Sequence, residues 1–352
     1  MNTKITGTGS YIPAHIETNK DFNSHEFLNR DGSPIKSPNE VIVKKFKAIT
    51  GISERRYAKS DLNTSDLAFF AAEKAIKRAN MNREDLDYII VAHNYGDIKH
   101  DSVQSDAVPS LASRVKHLLR IKNTKCVAYD LLFGCPGWVE GVIQAHAFIK
   151  AGIAKKCLVI GAETLSRVID PHDRDSMIYS DGAGAVIIES TTDSGGIIAH
   201  ESATFALDEA HFIYFGETNK QKAEDNRCYI KMYGRKIYEF ALTNVPLAMK
   251  SCLDNSGIAI SEVKKILIHQ ANEKMDEAIV KRFYELYNME MPEHIMPMSI
   301  GKLGNSSVAT VPTLYDLILN GEMENQNINK GDVIIFASVG AGMNINAIVY
   351  KQ

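Results

Sequence analysis

Apolar runs of strand length alternate along the chain with helix-length amphipathic segments, and that alternation predicts an α/β fold. Residues 86–92, 156–161, 183–188 and 332–337 are short apolar runs and read as buried strands. Between them, Leu67, Phe70, Ala71, Ala75 and Ala79 recur at helical spacing, with Thr64, Ser65 and Asp66 supplying capping groups. A second long helix is expected over residues 136–151, with Gly152 closing it.

Residues 67–94 and 237–272 follow one order: helix, polar turn, acidic residue, buried strand, then a histidine, His93 or His269. The segments KCLVIGAETLS (156–166) and DVIIFASVGAG (332–342) correspond as well. Agreement in register and in histidine placement points to a duplicated α/β unit. Its halves are expected at 1–195 and 196–352, joined through the turn-rich TTDSGG stretch (191–196). Residues 23–40 and 216–227 are polar and read as loops, the first a candidate for shaping a substrate entrance.

Composition narrows the class. The 352 residues are 45% hydrophobic and 24% charged, ample for a core in one large or two ordinary domains. A net charge of -3, from 40 basic and 43 acidic residues, argues against a nucleic-acid partner. No apolar run approaches the ~20 residues that span a bilayer. The first residues lack the apolar core of a secretory signal, so a cytoplasmic protein is expected. The 5 cysteines are scattered and form no CxxC pair, which predicts neither a disulfide scaffold nor a zinc site.

Cys135, in LLFGCPGW (131–138), is the candidate nucleophile. The flanking glycines permit a sharp turn, and Pro136 suits the first position of a helix. The thiol is then expected at a helix N-terminus, where free N–H groups and peptide dipoles favour a thiolate. Cys126, Cys157, Cys228 and Cys252 read as structural. His269 leaves the C-terminal end of an apolar run, where open α/β sheets concentrate their sites, although a core histidine has the same spacing. Asn305, in GNSSVATVP (304–312), reads either as a helix cap or as a hydrogen-bond donor to substrate. Gly340, Ala341 and Gly342 follow a buried strand and form either a plain turn or a backbone contact with a ligand.

Taken together, these segments resemble the thiolase-like condensing enzymes, and among them the β-ketoacyl-acyl-carrier-protein synthase III family. GTGSYIP (7–13), TGISERR (50–56), DPHDR (170–174), SDGAGAV (180–186), HQAN (269–272) and GNSSVATVP carry the resemblance, with Cys135 in the expected order between them. It spans nearly the whole chain and implies a duplicated five-layer αβαβα sandwich, usually a homodimer. It also implies acyl-CoA and a malonyl-acyl-carrier-protein as substrates, with no cofactor and no metal. Carried over by position, Cys135 is acylated and His269 and Asn305 complete a triad. Asn272 orders that site and Arg174 contacts the nucleotide end of coenzyme A. Ala341, with Gly342 beside it, supplies a second oxyanion N–H next to that of Cys135. Arg55 or Arg56 either reaches coenzyme A phosphates or forms a surface ion pair.

The chain departs from the family pattern around the nucleophile. Leu132, Phe133 and Pro136 replace small residues and Trp138 is bulky, so some of this bulk is expected to border the acyl pocket or its supporting wall. No adenine-stacking tryptophan is evident near residues 39–47. Lys44, Lys45, Lys47 and Lys274 are expected to meet an acidic carrier protein. Residues 102–111, with Val108, are expected near a partner subunit's tunnel. Acyl transfer or condensation of long or β-keto chains in secondary metabolism is the alternative activity. A non-catalytic partner subunit is a third, against which the intact Cys135, His269 and Asn305 argue.

Overall fold

The computed structural model describes residues 2–102, 104–221 and 227–352. Residues 222–226 of the polar stretch and Val103 of the 102–111 segment lie outside the described residues. The first half of the chain runs β1 (Asn2–Tyr11), β2 (His15–Thr18), α1 (Asn39–Thr50), β3 (Glu54–Tyr57), α2 (Thr64–Arg78), β4 (Tyr88–Ala92), α3 (Leu111–Leu118), β5 (Val127–Leu131), α4 (Gly137–Lys150), β6 (Lys156–Thr164) and β7 (Asp181–Thr191). The second half runs β8 (Gly196–Thr204), β9 (Ile213–Gly216), β10 (Tyr229–Met232), α5 (Gly234–Ser256), β11 (Val263–Ile268), α6 (Glu273–Glu285), α7 (Ile300–Leu303), α8 (Thr310–Leu319), β12 (Val333–Gly340) and β13 (Asn344–Lys351).

Two sheets carry the molecule. The first has strand order β1-β7-β6-β4-β5, and the second β11-β12-β13-β8. Read in the same sense, the second is β8-β13-β12-β11, which repeats β1-β7-β6-β4. The pairing sense agrees throughout. β4 and β6 are parallel, as are β11 and β12, and the remaining pairs of each sheet's matched strands are antiparallel. Among the described residues β5 has no counterpart, and its outer edge is open.

The period of two along each strand sorts side chains into layers. Ile89, Val91, Leu158 and Ile160 face α2 and α3 in one outer cluster. Their neighbours Ile90 and Val159 face the opposite way and meet Trp138, Val142, Leu314 and Tyr315 of α4 and α8. The same central cluster takes Leu267, Ile334, Phe336 and Ile348 from the second sheet. The far face of that sheet packs Ile266, Ile268, Ile335 and Val349 against α5 and α6. The result is the expected αβαβα sandwich, with α4 and α8 as the shared central layer.

Local details refine the sequence reading. α2 has Asn63 at its N-cap, and of the three residues after it Asp66 supplies a capping side chain. The Asn63 N–H donates to Asp66 Oδ2 at 2.8 Å, closing a capping box. Thr64 instead pairs with Thr164, and Ser65 with Asp97. Trp138 does not border an acyl pocket: it is fully buried in the central layer, edge-on to Phe336 at 5.6 Å. Leu132 is 67% exposed, so it faces solvent. Arg55 contacts no ligand site and forms no surface ion pair. It is fully buried, donates to the Met177 carbonyl and Asn19 Oδ1, and lies 4.8 Å over the Phe22 ring. Arg56 is the one in an ion pair, with Glu54 at 2.7 Å.

Candidate active site

The connection from β5 to α4 turns through Gly134 at φ 68° and Pro136 at φ -70°, setting Cys135 just before the first helical turn. The glycines here are steric requirements. A Cβ on Gly134 would sit 2.7 Å from the Ala341 carbonyl oxygen, and one on Gly340 would sit 2.5 Å from the Cys135 nitrogen. The Cys135 turn and the end of β12 are therefore pressed together with no room for a side chain between them.

His269 follows β11 directly, and its N–H donates to the Ala337 carbonyl at 2.8 Å. Its Nδ1 lies 2.7 Å from Thr310 Oγ1 at the start of α8. Asn305 is tied at the backbone to Ile178 and Ser180, each at 2.9 Å. Its side-chain Oδ1 accepts the Ser307 N–H at 2.7 Å, which leaves the amide Nδ2 as a donor. Cys135, His269 and Asn305 all line one cavity of about 70 Å³. Tyr95, Ser307 and Ala341 line it too. The three triad candidates, far apart in sequence, thus converge as expected.

A wider vestibule of about 700 Å³ adjoins this cavity, sharing Ile178, Met232, Ile237, Ala271 and Met275 with it. Arg30, Lys45, Arg174, Arg235 and Lys236 line the vestibule, against a single acidic residue, Asp175. Arg174 is 61% exposed there and reaches no closer than 3.7 Å to Asp175, so its charge faces the opening. The DPHDR segment is held in place from below: Lys231 Nζ lies 2.5 Å from Asp170 and 3.1 Å from Asp173. Asn272 caps α6, accepting the Met275 N–H at 3.2 Å, and lines the vestibule and not the inner cavity. Gly342 lines neither space. At φ 128° it completes the β12–β13 turn, where a Cβ would strike the Asn344 amide at 2.4 Å.

Burial governs the charges. It pushes the Cys135 thiol up to about 11, and the Ser307 hydrogen bond only partly opposes this. Burial thus opposes the preference for a thiolate that the position just before the helix start provides. Burial also lowers His269 to about 4, so at neutral pH the imidazole and the thiol are both uncharged. Cys228, read from sequence as structural, is exposed. Among the described residues no group of three or more His, Cys, Asp or Glu is placed to hold a metal ion.

Sequence reasoning missed four residues at the site. Ser307 Oγ donates to Cys135 Sγ at 3.2 Å, and Asn94 Nδ2 donates to Ser307 Oγ at 3.0 Å. Asn94 also bonds the fully buried Glu163, and Thr310 holds His269. Ser307 and Thr310 lie inside GNSSVATVP, but only Asn305 had a chemistry legible in one dimension. His93, the repeat counterpart of His269, serves instead to close a turn, its Nδ1 accepting the Gly96 N–H at 2.9 Å.

Comparison with known proteins agrees with this architecture. A family profile described as 3-Oxoacyl-[acyl-carrier-protein (ACP)] synthase III matches residues 129–205, and its C-terminal counterpart matches 253–352. Beta-ketoacyl-[acyl-carrier-protein] synthase III 1 of Vibrio vulnificus (strain YJ016) is 32% identical over 343 residues, covering 97% of each chain. The crystal structure of 3-oxoacyl-[acyl-carrier-protein] synthase III from Aquifex aeolicus VF5 superposes with a TM-score of 0.81 at 30% identity, covering 99% of this chain and 100% of that one. The synthase III of Thermus thermophilus gives 0.82 at 29% identity, covering 99% of both. With two thiolase-like sheets, a central helix pair and a Cys, His and Asn at one cavity, the chain belongs to the β-ketoacyl-[acyl-carrier-protein] synthase III family of condensing enzymes.

Proposed function

We propose that the protein is a decarboxylative condensing acyltransferase, in which Cys135 is acylated by acyl-CoA and a malonyl-acyl-carrier-protein is condensed onto it. The observation that carries this reading is the convergence of Cys135, His269 and Asn305 on one small cavity behind a cationic vestibule. The vestibule cations suit the phosphates of coenzyme A or of a carrier-protein arm, with Arg174 and Asn272 at its wall. The two halves, 1–195 and 196–352, are read as thiolase-like repeats, which the matching strand orders support. A cytoplasmic homodimer is the assembly this reading carries.

In acylation the Cys135 sulfur attacks the thioester carbonyl, the coenzyme A thiolate leaves, and the thiol proton passes to that leaving sulfur. The N–H groups of Cys135 and Ala341 are the donors proposed for the tetrahedral oxyanion. In condensation the malonyl group loses carbon dioxide and becomes an enolate. The Asn305 amide and the His269 Nε2–H stabilise the enolate oxygen. Thr310 has one hydroxyl proton and two acceptors in reach, His269 Nδ1 at 2.7 Å and the Ser307 carbonyl at 2.9 Å. Donation to Nδ1 puts the ring proton on Nε2, the tautomer this step needs. The enolate carbon then attacks the acyl carbonyl, forms the carbon–carbon bond and expels Cys135 as thiolate.

The test is intact mass after incubation with a panel of acyl-CoAs, followed by decarboxylation of malonyl thioester. Cys135→Ala is expected to accept no acyl group. His269→Ala and Asn305→Ala are expected to retain acylation and lose decarboxylation by about 10²–10³-fold. Equal losses in both half-reactions would assign His269 to activation of Cys135 instead.

A further inference from the structure

Ser307 touches the whole triad through three different groups. Its hydroxyl lies 3.2 Å from Cys135 Sγ. Its N–H holds Asn305 Oδ1 at 2.7 Å. Its carbonyl lies 2.9 Å from Thr310 Oγ1, which in turn lies 2.7 Å from His269 Nδ1. To serve all three it sits at φ 52°, a left-handed conformation uncommon for a residue with a side chain. The hydroxyl has a fixed direction as well. Asn94 Nδ2 donates to both Glu163 Oε1 and Ser307 Oγ, so the serine oxygen is occupied as an acceptor and its proton turns toward the sulfur. Glu163, 1% exposed on β6, anchors the far end of the chain.

We propose that Ser307 is a further catalytic residue, whose Oγ–H donates to the Cys135 sulfur and stabilises its negative charge whenever the thiolate is free. Asn94 is the positioning residue that orients this hydroxyl, and Glu163 anchors Asn94. The proposal deepens the condensing-enzyme reading and rests on it for the thiolate's purpose. The thiolate appears twice in that cycle, as the attacking group in acylation and as the leaving group in condensation. At both points an oriented hydroxyl offsets the loss of water around the sulfur. The hydroxyl keeps its own proton throughout, so the stoichiometry of neither step changes.

The test is alkylation of Cys135 by iodoacetamide, followed by peptide mass so that the exposed Cys228 is counted separately. The titratable groups facing the sulfur are Glu163 on β6, His269 after β11, Tyr95 after β4 and Tyr179 before β7; the Ser307 variants remove no hydrogen bond to any of them, whereas Asn94→Ala removes one to Glu163. Ser307→Ala keeps the N–H that holds Asn305 and the carbonyl 2.9 Å from Thr310 Oγ1, and removes only the hydroxyl. Ser307→Gly does the same and suits the positive φ, so it serves if the alanine variant folds poorly. Both are expected to slow alkylation at pH 8 by about tenfold to a hundredfold and to move its pH midpoint upward. Asn94→Ala is expected to give a smaller shift of the same sign. An alkylation profile unchanged in both Ser307 variants would overturn the proposal. Because iodoacetamide needs no acyl substrate, a protein that accepts no acyl-CoA yet shows the shift would overturn only the condensing-enzyme reading.

Discussion

Burial of Glu163 on β6 raises its carboxyl well above the ordinary 4.5, and the hydrogen bond from Asn94 opposes this only in part. A group whose folded-state pKa is raised costs stability as pH rises. From pH 4.5 upward the unfolded chain releases the proton that the folded chain keeps, and stability falls through that window. Glu163→Gln is neutral at every pH and retains an oxygen for Asn94. The difference in melting temperature between this variant and the parent is therefore expected to be near zero at pH 4.5 and to grow in the variant's favour toward pH 8. A constant difference would mean that Glu163 is charged in the folded protein. His269 carries the opposite linkage. Its folded value is lowered to about 4, so its contribution is complete above 6.5 and is lost as pH falls through 4. It stays neutral across the range in which the thiolate fraction of Cys135 rises.

At the scale of elements, the β9–β10 pair is expected to limit how far an acyl chain extends. β9 contributes Ile213 to the cavity and β10 contributes Ile230 and Met232. Phe215 of β9 stacks on Tyr95 with ring centroids 4.7 Å apart, and Tyr95 also lines the cavity. The pair stands between the 70 Å³ cavity and a second one of about 40 Å³ beyond it. A closed end of this size is expected to favour short primers, since an apolar wall discriminates by roughly 1–3 kcal/mol per methylene. Tyr95→Ala joins the two spaces, and its kcat/KM ratio for a primer two methylenes longer over acetyl-CoA is expected to rise at least tenfold. An unchanged ratio would place the chain-length limit elsewhere. This wall was not legible in the sequence, where residues 216–227 read only as a polar loop. The strands were legible because their apolar runs are short and continuous, His269 because it sits at the end of such a run, and Cys135 because Gly134 and Pro136 mark a turn into a helix. Spacing alone left open whether Trp138 borders a pocket or supports its wall, because α4 is buried on most of its surface; the side chain lies inside the central layer. Arg55 was misread because a charge in a short edge strand looks exposed until Phe22 and Asn19 fold over it. The chain from Glu163 through Asn94 and Ser307 to Cys135 draws on four separated segments, and no periodicity encodes such a meeting.

At the scale of the molecule, the open edge and the vestibule rim mark two surfaces where other chains are expected. β5 ends the first sheet unpaired, and an unpaired edge invites another strand. Val127 on it is 45% exposed, Leu132 just after it 67%, and Val108 in the neighbouring loop 87%. Asp130 of β5 binds that loop's exit, accepting the N–H groups of Leu111 at 2.7 Å and Ala112 at 2.8 Å. A two-fold dimer through β5 is thus expected, and Val127→Asp with Leu132→Asp is expected to halve the mass seen by light scattering; a parent that is already monomeric would remove this idea. The second surface separates two cationic sets by position. Arg30, Lys45, Arg174, Arg235 and Lys236 line the vestibule, within reach of any phosphate that enters it. Lys44, Lys47 and Lys274 are exposed outside it on α1 and α6, which pack side by side. Coenzyme A and a carrier-protein arm are both expected to meet the inner set, whereas only a folded acidic protein would span the outer one. Exposed charges act over about 8–10 Å at ordinary salt, so they steer association more than they hold a bound state. Charge reversal at Lys44, Lys47 and Lys274 is therefore expected to slow condensation with malonyl-acyl-carrier-protein and to flatten its decline with ionic strength. Acylation by acyl-CoA is expected to remain within twofold of the parent. Arg235→Glu, on the inner wall, is expected to impair both reactions. If the outer lysine variants slow acyl-CoA and carrier protein alike, or neither, the rim is ordinary solvated surface and the carrier protein docks on another face.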